Sequence, residues 1–265
     1  MSKHTSLGIM MLLMVSFPFY AQTIPPGTRY IKAMATNVEF RDNNQIAFDD
    51  LKEGEKVYRY ELEYVHKIPF LRIYKEGRVE EYLVLYNDLF MILYTKGKKS
   101  FYDIWIKSFR FEGEMNDLGA ASSRIISASS ELKEGNVIYA IDNINTIDLE
   151  TPWVEGAKGS GTGEWITLKG YTELDSLIIF SGYVSYEKPY LYTQNARPKK
   201  IRVTCKEVGF EKDFDIADTP NPQVLEFGRL IKVEDITITI LDVYPGTKYE
   251  NMCIHAIWKR RVPNR

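Results

Sequence analysis

Residues 151–170, TPWVEGAKGSGTGEWITLKG, set Gly159, Gly161 and Gly163 between Trp153 and Trp165. Glycine-rich stretches of this kind are where backbone amides can cradle a phosphate, so nucleotide chemistry is the first reading to test. A Walker loop ends in Gly-Lys-Ser/Thr, but here Lys158 precedes Gly159 and Glu164 follows Gly163. A dinucleotide fingerprint needs G-x-G-x-x-G, and the spacing is G-x-G-x-G. Both motifs must also open a helix, whereas Glu164 to Lys169 (EWITLK) alternates as a strand with Ile166 and Leu168 on one face. The stretch therefore leads into a sheet. Its glycines read as positions that permit positive φ in a long turn.

Other catalytic or metal chemistry finds little support. Beyond the first residues the histidines are His66 and His255, each alone in an apolar, strand-like setting, and no G-x-S-x-G elbow accompanies them. Cys205 and Cys253 are too far apart for zinc-type spacing. They leave two readings, one disulfide in an exported chain or buried inert thiols. The EF-hand pattern is absent, and no cofactor is expected from the residues. A glycosidase carboxylate pair cannot be read from spacing, and the chain is taken as non-enzymatic. With 34 basic against 36 acidic residues there is no basic field to hold nucleic acid.

The elements that must carry any site are strands. After the first residues almost every apolar run is short, β-branched or aromatic, and bounded by turn residues. Residues 28–111 show it as TNVEF, KVYRYELEYV, PFLRIY, EEYLVLY and LFMILY, with hairpin turns at Glu76-Gly77 and Lys96-Gly97-Lys98. KAMATNVEFRD and LKEGEKV give this half a resemblance to bacterial Src-homology-3-like domains. Residues 112–123 begin a stretch rich in Ser, Gly, Glu and Ala and read as a linker. In the second half LDSLIIFSGY holds a continuous apolar run, Leu177 to Phe180, suited to a strand buried on both faces. ITITIL alternates from Ile236 to Ile240, giving one apolar and one Thr-lined face. The fold class expected is all-β, a small N-terminal β-barrel followed by a C-terminal jelly-roll sandwich at 124–262.

Before these elements, Lys3 and the apolar stretch Leu7 to Val15, with Pro18 and a cut after Ala21, read as an export signal over residues 1–21. A retained anchor or a buried strand is the alternative, since Phe19 stands where a small residue is usual before a cut. The mature chain is expected to have no membrane span and to be periplasmic, cell-surface or secreted.

The second half also carries a specific resemblance. SASSELKEGNVIYAIDNINTIDLETPW is similar to the opening of discoidin-like, galactose-binding-like sandwiches. WVEGAKGSGTGEWI, IIFSGY, YTQNARPKKIRV and DVYPGTKYENMCIHAI, in that order, resemble the glycan-binding domain in the translocation region of streptococcal NAD-glycohydrolase toxins. The resemblance covers roughly residues 124–260 and none of the toxin's catalytic part, so it implies binding without catalysis. The partner it implies is a cell-surface or envelope glycan, and folds it resembles also admit a structural calcium held by loop carbonyls and carboxylates, for which this sequence has no motif.

Sugars present an apolar CH face beside a hydroxyl rim, which aromatic rings and fork-shaped polar groups on loops can match. On loops 151–164, 183–198 and 242–251 the expected ligand-binding residues are Trp153, Glu155, Tyr190, Asn195, Arg197, Lys248 and Tyr249, with Tyr186 and Tyr192 as further aromatic faces. Each has a structural alternative. Trp153 could be core, Asn195 and Arg197 could tie a loop to a neighbouring strand, and Pro245-Gly246 carries the signature of a type II turn. The alternative function is a scaffold or protein-interaction module without a sugar ligand, gripping its partner through the N-terminal domain.

Overall fold

The computed structural model describes residues 24–32, 36–97, 102–107, 125–149 and 151–261. The expected leader at 1–21 and linker at 112–123 lie outside the described residues.

The first half is a closed barrel of β1 (Arg29–Lys32), β2 (Thr36–Arg41), β3 (Gln45–Asp50), β4 (Gly54–Val65), β5 (Ile68–Lys75), β6 (Arg78–Tyr86), β7 (Phe90–Thr95) and β8 (Tyr102–Ile106). Each strand runs antiparallel to the next, and β8 returns to β1 where Ile31 pairs with Ile106. Closure leaves no free sheet edge. Strand alternation sends Tyr30, Phe40, Ile46, Tyr60, Leu71, Val84, Met91 and Trp105 inward, so the barrel is filled by side chains. Glu76-Gly77 forms the β5–β6 hairpin, closed by the Lys75–Arg78 pair, with Gly77 at φ 73°. Gly97 lies at φ 69° just after β7, and Lys98 is outside the described residues. What the pairing shows is an eight-stranded meander in plain sequence order, a larger closed unit than KAMATNVEFRD and LKEGEKV indicate.

The second half is built from β9 (Ile125–Ala128), a small hairpin of β10 (Lys133–Glu134) and β11 (Val137–Ile138), β12 (Trp153–Val154), β13 (Trp165–Ser181), a short helix α1 (Tyr190–Gln194), β14 (Arg197–Cys205), β15 (Phe210–Asp215), β16 (Gln223–Tyr244) and β17 (Cys253–Arg260). The sheet order is β12-β17-β13-β16-β14-β15, with β9 also on β13. The long strands β13 and β16 pair over most of their length, but the register shifts between Lys169 and Thr172 and again between Leu174 and Ser176. Such bulges bend a strand pair. Before the bend β13 is flanked by β9; after it, by β17. The sheet thus curves around one core that includes Trp153, Ile166, Leu168, Leu177, Ile179 and Ile201. Ile236, Ile238 and Ile240 of β16 enter that core while Thr237 faces Thr167, the alternation expected of ITITIL.

The run Leu177 to Phe180 is apolar throughout because its strand is covered twice. Leu177 and Ile179 face the sandwich core; Ile178 and Phe180 face the barrel. There they meet Ala256 and Trp258 of β17, and Phe70, Leu83, Leu85, Phe90 and Ile92 from the outer face of β5 to β7. The Phe90 ring lies 6.3 Å from Phe180 and 5.4 Å from Trp258. Polar ties run across the same boundary: Tyr94 OH donates to the Ile147 carbonyl (2.8 Å), the Tyr86 amide to Asn221 Oδ1 (3.2 Å), and Tyr186 OH to Glu81 Oε1 (3.0 Å). Of the two readings of the cysteines, the structure shows the second: Cys205 and Cys253 are both free and buried.

Candidate functional site

Helix α1 is a single turn of five residues, too short to hold itself in water. Its shape comes from what surrounds it. Arg197, at the start of β14, donates from Nη1 to the carbonyls of Tyr192 (2.9 Å) and Asn195 (2.6 Å). Its other face is bidentate on Asp218, Nε to Oδ1 at 2.8 Å and Nη2 to Oδ2 at 3.1 Å. Burial pushes the Asp218 carboxyl up, but Arg197 and Lys67 outweigh it and hold the group below the usual carboxylate range. Asn195 closes the helix end, its Nδ2 donating to the Leu191 carbonyl at 2.9 Å. The Tyr192 ring packs beneath Gly182, where a Cβ would come within 2.6 Å of it.

The helix in turn carries the loop after β16. The Thr247 amide donates to the Thr193 carbonyl (3.1 Å), and those of Lys248 (3.1 Å) and Tyr249 (2.8 Å) to the Gln194 carbonyl. Gly246 makes this approach feasible: a Cβ there would stand 2.4 Å from Gln194 O and 2.2 Å from Tyr249 O. Its φ is not positive, so the type II turn expected at Pro245-Gly246 is replaced by a close-packed backbone crossing.

Between the β10–β11 hairpin, the segment 183–195 and the loop 248–251 lies an open cleft of about 520 Å³. Tyr190, Asn195, Lys248 and Tyr249 of the expected residues line it. Tyr190 and Tyr249 are 38% and 37% exposed, and Lys248 Nζ sits 4.9 Å above the Tyr249 ring. Tyr139 and Tyr183 add an edge-to-face pair with ring centroids 6.3 Å apart, and Gln194, Asn251, Lys188 and Glu134 add polar groups.

Trp153, Glu155 and Arg197 do not line the cleft. Trp153 is fully buried, its Nε1 donating to the Ser130 carbonyl at 3.0 Å. Glu155 is fully buried under the glycine-rich turn and accepts from the amides of Ala157 (2.8 Å) and Met252 (3.2 Å). Burial raises its carboxyl above the usual range, partly offset by those amides. Arg197 is a buried strut. Tyr186 turns to the barrel, against Phe70, and Tyr192 is core. The glycines 159, 161 and 163 all have positive φ, and Gly161 also packs against Glu155 and Met252, so that stretch is a turn built over a buried carboxylate.

Sequence reasoning passed over Glu134, Tyr139, Tyr183, Lys188, Gln194 and Asn251. Tyr183, Lys188, Gln194 and Asn251 fall inside loops already singled out. Glu134 and Tyr139 come from a hairpin inside SASSELKEGNVIYAIDNINTIDLETPW, a motif that marked the fold and not the site, with Gly135-Asn136 as its turn.

The family model described as "NAD glycohydrolase translocation F5/8 type C domain" matches residues 119–258, more than half of the chain. The chain belongs to this family. Its F5/8 type C domain is the curved sheet described above, and the discoidin-like expectation is met in fold. Among solved structures, a family 32 carbohydrate-binding module of C. perfringens NanJ in complex with galactose is 18% identical, with a TM-score of 0.41 over 54% of this chain and 97% of that one. The module CpGH89CBM32-5 from Clostridium perfringens, in complex with GalNAc-β-1,3-galactose, is 12% identical, with a TM-score of 0.39 over 53% and 96%. A Ruminococcus gnavus GH29 fucosidase in complex with fucose is 13% identical, with a TM-score of 0.42 over 58% of this chain and 28% of that one. No curated protein matches the chain. Among the described residues of the F5/8 type C chain, no helix is long and apolar enough to cross a membrane and no cluster of three or more His, Cys, Asp or Glu side chains could hold a metal.

Proposed function

We propose that this is an exported, non-catalytic glycan-binding protein whose ligand sits in the cleft between the β10–β11 hairpin, helix α1 and the loop 248–251. The observation that carries the reading is the cleft's lining: four tyrosines, 139, 183, 190 and 249, interleaved with the side-chain amides of Gln194, Asn195 and Asn251. Tyrosine faces suit the CH side of a sugar ring, and amides can both donate to and accept from its hydroxyls. Binding without catalysis is supported by the acids present. Glycoside hydrolysis uses two carboxyl groups, and among the described lining residues Glu134 is the only carboxylate. The ligand class proposed is a cell-surface or envelope saccharide.

The test is a glycan-array screen of the protein followed by calorimetry, beside Tyr190→Ala and Tyr249→Ala. Both rings are partly exposed, so these variants should melt like the parent while affinity falls roughly tenfold for each lost stacking face. An array without any bound saccharide would reject the reading and favour the scaffold or protein-interaction alternative, to be pursued by pull-down from an envelope extract.

A further inference from the structure

The barrel's β4–β5 turn is built against local preference. Val65 pairs with Ile68, leaving His66-Lys67 as a two-residue loop with φ of 51° and 71°. Positive φ at both positions is the geometry for which hairpins select Asn-Gly, and Lys in particular gains nothing from it. Elsewhere among the described residues of the barrel the positive-φ residues outside glycine are Asn43 and Asn44, a type that tolerates the region.

Both turn residues instead reach the second domain, His66 at helix α1 and Lys67 at Asp218. His66 Nδ1 lies 3.2 Å from Thr193 Oγ1, and its ring meets the Tyr190 ring edge-on at 6.3 Å. The Thr193 hydroxyl also donates to the Tyr190 carbonyl at 3.2 Å; with its one proton placed there, His66 Nδ1–H is the donor to the hydroxyl oxygen. Lys67 Nζ meets Asp218 Oδ2 at 2.6 Å, the same carboxylate that holds Arg197, which in turn holds the carbonyls of Tyr192 and Asn195. Helix α1 then supports the loop of Lys248 and Tyr249 through the carbonyls of Thr193 and Gln194. One line of contacts thus runs from a strained barrel turn to two walls of the cleft.

We propose that His66 and Lys67 are positioning residues of the cleft, and that the barrel's task is to hold helix α1 and the loop 247–249 in their ligand-ready arrangement. A preformed site spares the ligand the cost of ordering those segments. The consequence for affinity rests on the glycan reading; the consequence for local order does not.

The test compares the full-length protein with the double variant His66→Asn/Lys67→Gly, which gives the hairpin its preferred turn pair, and with Lys67→Arg, which retains the charge on Asp218. Amide hydrogen exchange is followed in residues 190–195 and 247–249, with strands β4 and β5 as internal control. The double variant should exchange roughly fivefold faster in those two segments, the worth of about one net hydrogen bond, with β4 and β5 unchanged and Lys67→Arg close to the parent. His66→Gly, which suits the φ of 51° and removes only the contacts to Thr193 and Tyr190, should show the same pattern, and it decides the matter if the double variant fails to fold. A saccharide found by the array should lose affinity in parallel. Unchanged exchange in both segments overturns the proposal. Faster exchange with no saccharide bound by parent or variant sustains the positioning role and rejects the glycan reading.

Discussion

Replacing Arg197 by Ala should unfold the protein more readily and should not act as a selective binding mutation. The guanidinium is 6% exposed and makes four hydrogen bonds, two to Asp218 and one each to the Tyr192 and Asn195 carbonyls. Removing one partner of a buried ion pair costs about 3–5 kcal/mol, because the other charge stays behind with its desolvation unpaid. Asp218 keeps Lys67 at 2.6 Å and is 19% exposed, which places the expected loss near the lower end, about 3 kcal/mol. Urea unfolding of parent and variant measures it directly, with an unchanged slope and a lower midpoint. The loss should also depend on pH in a defined direction. Asp218 has a depressed carboxyl pKa in the folded chain, so its contribution is complete above the unfolded value near 4 and fades as pH falls through the folded one. The gap between parent and variant should therefore narrow on acidification. A loss under about 1 kcal/mol at neutral pH, or a gap that widens in acid, would refute the buried-strut account.

Gly246→Ala should destabilise by about 1–3 kcal/mol, since its Cβ meets the backbone at Gln194, Asn195 and Tyr249 and no flexible side chain can yield; thermal melting reads this. Trp258→Ala should cost about 3–5 kcal/mol and lower the unfolding midpoint of both halves together, which domain-specific fluorescence or exchange can follow. His255 is fully buried, and burial, offset only in part by the Ile147 backbone, depresses its pKa to about 4. The unfolded chain takes up that proton near pH 6.5 and the folded chain only near 4, so stability should fall by about 3 kcal/mol across that window as pH drops, and a His255→Phe variant measured by urea unfolding should lack this component.

How much of this was legible in the sequence follows from what each residue type reports. The double burial of Leu177 to Phe180 was written in its unbroken apolarity, although what covers the second face, an eight-stranded barrel, was not. ITITIL announced its two faces correctly. Residue type alone could not separate ligand-facing from buried polar groups. Arg197 looks like a sugar-binding fork until Asp218, distant in sequence, occupies it, and Glu155 looks the same until the amides of Ala157 and Met252 do. The motifs that carry the family likeness place Trp153, Gly161, Arg197 and Gly246 at buried or close-packed positions, so they report the frame of the domain. The same motifs also hold Tyr139, Tyr183 and Tyr249 of the cleft, so membership of a motif does not separate frame from lining, and Tyr139 and Glu134 enter from a hairpin with nothing in its sequence to link it to α1.

The shared core also changes how the second half should be studied. Ile178, Phe180 and Trp258 belong to the sandwich in sequence but share a core with Phe70, Leu83, Leu85 and Phe90 of the barrel. Cutting the chain near residue 124 would expose that apolar face to water, and contiguous patches of this kind promote association. It would also remove His66 and Lys67 from helix α1. A failure of the isolated fragment to bind would then report loss of its supporting wall and carry no information about the cleft itself. The barrel and the sandwich therefore belong together in any binding experiment: the barrel packs against the apolar back of the sandwich and reaches around to helix α1, which carries Tyr190 and Gln194 of the cleft.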